Sequence, residues 1–453
     1  MRRRMLSRVV VSAAITASVL LVGTPAAAAS ALPSVVRPTE DETAAPAPAS
    51  PVADDPTDPV RAKEYWLDGA RIRDAWQVTR GKGVTIAVID TGVGKPPVTF
   101  DGAVKDGTDV SGSGTADGRT PVGVRDPNHG TWVASLAAGR GNPDGTGLIG
   151  VAPEASLLSV SISFGAAGSV PFTKQVAEAM RWSVDHGADI INLSLTTNTL
   201  DWDRSWDDAF LYAFEHDVVV VVAAGNRGSG TSIVGAPATI PGVLTVGGVD
   251  QTGTASRAAS TQGITLGVMA PSEALIGMSA DGTVVSWDGT SGAAPIVAGA
   301  AALVRAAHPD LDAANVINRL VRTAIPVPEM RGTPDVLYGY GLLDANAAVT
   351  ASVPAVSANP MGDLKEWVRL YRRADSPVDP TPQESPAPVA VPPLPAAEPP
   401  SPQGSPLLPS AETLRYGTLP LLALTVPGTL IALGVTAAAR RIRTERGRRT
   451  LKP

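Results

Sequence analysis

Apolar runs too short for helices recur between residues 83 and 350, and stretches of helical period lie between them. Gly83-Val84-Thr85-Ile86-Ala87-Val88-Ile89 ends on Asp90-Thr91-Gly92, the pattern of a buried strand closed by a carboxylate and a glycine turn. Leu157 to Ile162 alternates as a strand does. Asp189 to Leu195 and Val218 to Val222 predict buried strands, the second apolar throughout. Val243 to Gly247 and Ile264 to Pro271 supply two more. Among the helical stretches, Lys174 to His186 places Val176, Ala179, Met180 and Val184 on one face and stops at Gly187. Ala313 to Thr323 is amphipathic. Ile296 to Val304 carries no charge and mostly small residues, which predicts a helix buried on nearly all sides. This alternation argues an α/β fold with a doubly wound, mainly parallel sheet and helices on both faces.

Both ends break the pattern. Arg2, Arg3, Arg4 and Arg8 surround the start of an apolar stretch, Val9 to Gly23, and small residues follow at Ala26 to Ala31. That is the form of a secretory signal peptide, assigned to residues 1–31. Residues 32–60 are rich in Pro, Ala, Asp and Glu without apolar period, and a disordered extension is expected there. The folded domain is expected over 61–351 and a Pro-rich stalk over 352–417. One short amphipathic helix, Asp363 to Arg373, is expected inside the latter. The 13 prolines of residues 374–409 suit a semi-rigid spacer, at most roughly 110 Å long at 3.1 Å per residue. Thr418 to Ala439 is uncharged and mostly apolar. As a helix it would be about 33 Å long, enough to span a bilayer. The tail 440–453 holds Arg440, Arg441, Arg443, Arg446, Arg448, Arg449 and Lys452, which places the C-terminus in the cytoplasm and the preceding domain outside. The expectation is a single-pass cell-membrane protein with an extracellular domain.

Composition narrows the chemistry. The absence of cysteine excludes disulfides and thiol nucleophiles. The net charge of −6 becomes more negative once the arginine-bearing leader is removed, which argues against a nucleic-acid partner.

Ser291 is the candidate nucleophile. Asp288-Gly289-Thr290-Ser291-Gly292 leads directly into the apolar helix, so Ser291 falls in a first turn whose unpaired N–H groups and dipole favour negative charge. A serine there can use its own N–H to hold an oxyanion. It needs a base and an orienting acid. His129, in Asn128-His129-Gly130-Thr131-Trp132-Val133-Ala134, precedes a second helix of small residues, and Asp90 ends the first strand. His186, His216 and His308 fall at helix ends and are expected at the surface. Asp90-Thr91-Gly92 is also the local form of an aspartic-protease site, but such sites need a second strand-borne Asp. Asp281-Gly282 and Asp288-Gly289 lack that form.

With the order Asp90, His129, Ser291 and the text around each, residues 64–350 resemble the subtilases, the subtilisin-like serine proteases. The resemblance implies cleavage of polypeptides through an acyl-enzyme. Asn226, after Ala223-Ala224-Gly225, matches the family's oxyanion-hole asparagine. Ser194, Leu195 and Thr196 match the segment that pairs with substrate as an added strand. Gly235-Ala236-Pro237 resembles a wall of the specificity pocket. Relatives carry a calcium site before Gly150-Val151-Ala152-Pro153. Here Asn142 and Asp144 are too few oxygen ligands to claim it, so no cofactor or metal is expected. Three departures stand out: Gly292 replaces a larger apolar residue, Ser135 replaces a glycine, and Thr196-Thr197 replaces the glycine after Ser-Leu. Residues 32–60 are also too short for the folded propeptide usual in the family. Asp201-Trp202-Asp203-Arg204-Ser205-Trp206-Asp207-Asp208 reads as acids at a helix N-terminus with tryptophans facing inward, or alternatively as an acidic aromatic rim of the cleft. Leader, short extension, protease domain, stalk, span and basic tail together resemble the mycosins, membrane-anchored subtilases associated with type VII secretion. Secretion-system components are therefore the expected partners, and a structural subunit in which cleavage is secondary is the alternative role.

Overall fold

A computed structural model describes residues 57–96, 98–123, 126–164 and 169–372, with scattered positions between 425 and 441. The chain divides into two units, Met1–Ser376 and Pro377–Pro453. The leader, nearly all of the 32–60 extension, the stalk beyond Arg372 and part of 418–439 lie outside the described residues. In the second unit every described position is helical and exposed, and the Thr429 hydroxyl donates to the Thr425 carbonyl at 2.7 Å.

The first unit opens with two short helices, α1 (Trp66–Gly69) and α2 (Ile72–Ala75), and continues β1 (Thr85–Asp90), β2 (Val104–Asp109), α3 (His129–Ala138), β3 (Ser156–Ser161), α4 (Phe172–Asp185), β4 (Ile190–Leu193), α5 (Arg204–Glu215), β5 (Val219–Ala223), β6 (Leu244–Val249), β7 (Leu266–Pro271), β8 (Leu275–Met278), β9 (Val284–Trp287), α6 (Thr290–Ala307), α7 (Ala313–Arg322), α8 (Ala345–Thr350) and α9 (Leu364–Tyr371). Seven strands form one sheet in the order β2-β3-β1-β4-β5-β6-β7, and every neighbouring pair is parallel. β8 and β9 pair as a separate antiparallel hairpin.

Strand periodicity sorts the core into two layers. Ile86, Val88, Ile190, Val221 and Val246 face one way, onto α3 and α6, while Ala87, Ile89, Ile191, Leu193, Val220 and Val222 face α4 and α5. The sheet is thus covered on both faces, as the apolar runs require. Trp66, Ala70, Ile72 and Trp76 of the opening segment are buried against the first layer. α6 is the one described helix long and apolar enough to cross a membrane, yet it is buried within this layer. Its small side chains let it lie close to the strands. Aspartates start four later helices: Asp203, Asp312, Asp344 and Asp363 each accept a backbone N–H of the first turn of α5, α7, α8 and α9.

Three expectations change. Residues 94–127 are Gly- and Asp-rich, which predicts a loop, yet they contain β2; as an edge strand it is largely polar, with Lys105 and Asp106 exposed, and carries no apolar signal. Residues 352–372, expected as the start of the stalk, are folded onto the domain. Leu364 is buried there, and Trp367 lies on Trp202 with ring centroids 4.5 Å apart. Arg372 sits over both rings at 5.4 and 5.2 Å and pairs with the buried Asp207 at 2.9 Å. This packing resolves the Asp201–Asp208 tract as a capped helix start with inward tryptophans. Finally, His308 is half-buried, with Nε2 2.6 Å from the Val349 carbonyl, whereas His186 and His216 are exposed as expected.

Candidate active site

The C-terminal ends of parallel strands carry the site, at the place where the strand order reverses around β1. Asp90 ends β1 and is fully buried. His129 begins α3 and is one-fifth exposed. Its Nδ1 lies 2.8 and 3.0 Å from the two Asp90 carboxylate oxygens. With Nδ1–H given to the carboxylate, Nε2 is left as the acceptor. Thr91 locks the two elements together. Its N–H donates to Asp90 Oδ1 at 2.7 Å, its hydroxyl donates to the Pro127 carbonyl, and the same oxygen accepts the Gly130 N–H at 2.8 Å. Burial is the largest influence on the His129 ring and opposes its charge. The Asp90 charge, its hydrogen bond and the charge of Asp126 outweigh that and raise the pKa above the ordinary histidine value.

Ser291 is the second residue of α6, so its N–H is among those a helix leaves unpaired. Asn226 follows β5 closely. Its Oδ1 accepts from the Thr290 N–H at 2.8 Å and from the Thr290 hydroxyl at 2.9 Å, and that hydroxyl accepts the Gly225 N–H at 3.0 Å. The carboxamide is therefore fixed with its NH2 turned toward Gly289. Gly289 caps α6 at φ 146°, and a Cβ there would stand 2.8 Å from Asn226 Nδ2. A glycine is required both by that angle and by that approach.

The Ser291 hydroxyl donates to the Ser194 carbonyl at 3.2 Å rather than to His129. Asp90 and His129 are thus paired, while Ser291 and His129 are not hydrogen-bonded. Catalytic hydrogen bonds commonly tighten only with substrate bound. Leu195 is buried, and Thr196 donates to the carbonyls of Thr197 at 3.1 Å and Gly235 at 3.4 Å. Thr197 N–H donates to the Ala236 carbonyl and Ala236 N–H to the Thr199 carbonyl, each at 2.8 Å. The segment after β4 and the Gly235 loop therefore form one ledge beside Ser291.

Several site residues escaped the sequence reading. Trp132 and Trp287 flank His129, with ring centroids 6.3 and 5.6 Å from it. Both stand a few residues from His129 or Ser291 in the chain, which was the available signal. Thr91 and Thr290, next to Asp90 and Ser291, had the same signal. The departures also find reasons. A side chain at Gly292 would overlap Leu275 and crowd Trp287 and Leu136, so those residues already fill the space. Ser135 donates to the Trp132 carbonyl at 2.6 Å and accepts the Met278 N–H, tying α3 to β8.

The loop before Gly150 is closed by its own hydrogen bonds. Asn142 Nδ2 donates to the Thr146 hydroxyl, and Asp144 accepts from both the N–H and the hydroxyl of Thr146. The carbonyls of Thr146 and Gly147 accept from the buried guanidinium of Arg61 at 3.1 and 3.0 Å. Among the described residues no cluster of three His, Asp or Glu side chains is placed to hold a metal.

A sequence profile of the subtilase family, peptidase S8, matches residues 81–341. Subtilisin DY of Bacillus licheniformis is 35% identical over 273 residues, 59% of this chain and 92% of that protein. Mycosin-4 of Mycobacterium tuberculosis is 34% identical over 407 residues, 78% of this chain and 85% of that protein. Among solved structures, MycP1 from the ESX-1 type VII secretion system aligns with a TM-score of 0.57 and 29% identity, covering 68% of this chain and 92% of that one.

Proposed function

Since the chain belongs to the subtilase family and is a serine endopeptidase, we propose that Asp90, His129 and Ser291 are its catalytic triad and Asn226 its oxyanion-hole side chain. Ser291 Oγ attacks a peptide carbonyl and His129 Nε2 takes the hydroxyl proton, later giving it to the leaving amine. Asp90 holds the ring in the required tautomer and stabilises the imidazolium. The Ser291 N–H and Asn226 Nδ2 receive the oxyanion. The observation that carries this reading is the hydrogen-bonded Asp90–His129 pair, together with Ser291 in the first turn of α6, where the Asn226 carboxamide is anchored. The acyl side of the substrate lies along Ser194, Leu195 and Thr196, with Gly235 in the pocket wall.

The domain is held outside the cell membrane by a helix over 418–439, on a stalk that begins after Arg372, and its work is linked to type VII secretion. The likeness to Mycosin-4 and to MycP1 supports that link. The first test is labelling of the full-length chain with a fluorophosphonate. Wild type should be labelled, and Ser291→Ala and His129→Ala should not. Equal labelling of Ser291→Ala would overturn the assignment.

A further inference from the structure

Pro295 is the sixth residue of α6. In an α-helix the N–H of residue 295 would pair with the carbonyl of Ser291, four residues earlier. Proline has no N–H, and its ring crowds that very carbonyl. The Ser291 carbonyl must therefore take its hydrogen bond from outside the helix. Ser194 Oγ donates to it at 2.8 Å, and Asn192 Nδ2 donates to Ser194 Oγ at 2.9 Å. All of this is buried: Asn192 is 0% and Ser194 3% exposed. Asn192 sits mid-sheet in register with Val88 of β1 and Val221 of β5, on the face that packs under α6. A carboxamide in such a row is unfavourable unless it is hydrogen-bonded, and a valine would pack there without that demand. Its Oδ1 has no hydrogen-bond partner among the described residues, so the side chain is not there to stabilise the sheet.

We propose that Asn192 and Ser194 are positioning residues, forming a buried relay from the end of β4 that holds the Ser291 carbonyl in place of the helix bond Pro295 cannot make. The inference rests on Ser291 being the nucleophile. Asn226 holds Thr290 at the start of this turn and the Ser194 hydroxyl holds the next carbonyl, with glycines on either side at 289 and 292. Holding the carbonyl fixes the peptide planes on which both the Ser291 N–H and Oγ depend. Loss of the relay therefore lowers the rate of attack and not the affinity for substrate.

The test compares fluorophosphonate labelling kinetics of the full-length chain for wild type, Ser194→Ala, Pro295→Ala and the double variant, with melting temperatures alongside. Ser194→Ala should lower the limiting labelling rate ~10-fold or more and leave the half-saturating reagent concentration unchanged. Pro295→Ala restores an N–H four residues after Ser291, so in that background Ser194→Ala should lose no more than ~3-fold. Equal losses in both backgrounds, or full-rate labelling of Ser194→Ala, overturn the relay. If Ser194→Ala does not fold, Ser194→Cys, a weak donor of similar size, enters the same comparison with the same expected order. A wild type that is not labelled at all overturns Ser291 as nucleophile, and the relay with it.

Discussion

At the scale of single residues, the Asp90–His129 pair sets how the enzyme responds to pH. The carboxylate raises the His129 pKa above the ordinary value of 6.5. His129 acts as a base only when neutral, so activity should fall as pH drops through that raised value. The labelling rate of wild type should therefore show an acid limb with its midpoint above 6.5. Stability runs the other way. The charged ring beside Asp90 stabilises the fold below the ordinary histidine pKa, and that contribution is lost as pH rises through the raised one. Asp90→Asn removes the charge, so the limb should move to lower pH while the rate falls by about 10⁴-fold. An unmoved limb in that variant would show that another group controls it. Thr91 and Thr290 belong to this scale too: the Thr91 N–H holds the Asp90 carboxylate, and the Thr290 N–H and hydroxyl hold the Asn226 carboxamide.

At the scale of elements, α9 shows how a short helix becomes part of the domain. By itself an eight-residue helix is marginal in water. Here Asp363 caps it, Trp367 lies on Trp202, and Arg372 closes it over both rings onto Asp207. Asp207 is buried, with Trp202 Nε1 at 2.6 Å as its other side-chain donor. Arg372→Ala should leave that carboxylate under-satisfied and destabilise the full-length chain by roughly 2 kcal/mol. Denaturant unfolding measures the loss, and hydrogen exchange over residues 364–371 should rise with it. Unchanged exchange there would mean that apolar packing alone holds α9 on the domain.

At the scale of the whole molecule, the charge and hydropathy of the C-terminal region make a separate prediction. The full-length chain should remain with membranes through alkaline carbonate washing, and a chain ending before Thr418 should be released as an active enzyme. Retention of that shorter chain would place the anchor elsewhere. The sequence by itself determined the sheet class, the central strands, the buried helix of small residues and the triad candidates. Those features depend on local periodicity and on short blocks in which chemistry and structure coincide: Asp90 ends an apolar strand, and Ser291 starts an apolar helix. It also placed a helix opening in the Asp201–Asp208 tract and a short one over Asp363 to Arg373, where an aspartate cap is a local interaction. Tertiary structure alone decided the rest. β2 forms because β3 offers it a partner, not because its own residues are apolar. Arg61 reaches loop carbonyls some 85 residues away, and Arg372 reaches Asp207 across 165 residues. The Ser291 carbonyl finds its donor on Ser194, 97 residues earlier. A sequence displays neighbours along the chain, whereas each of these bonds joins groups that only the closed sheet brings within 3 Å or so.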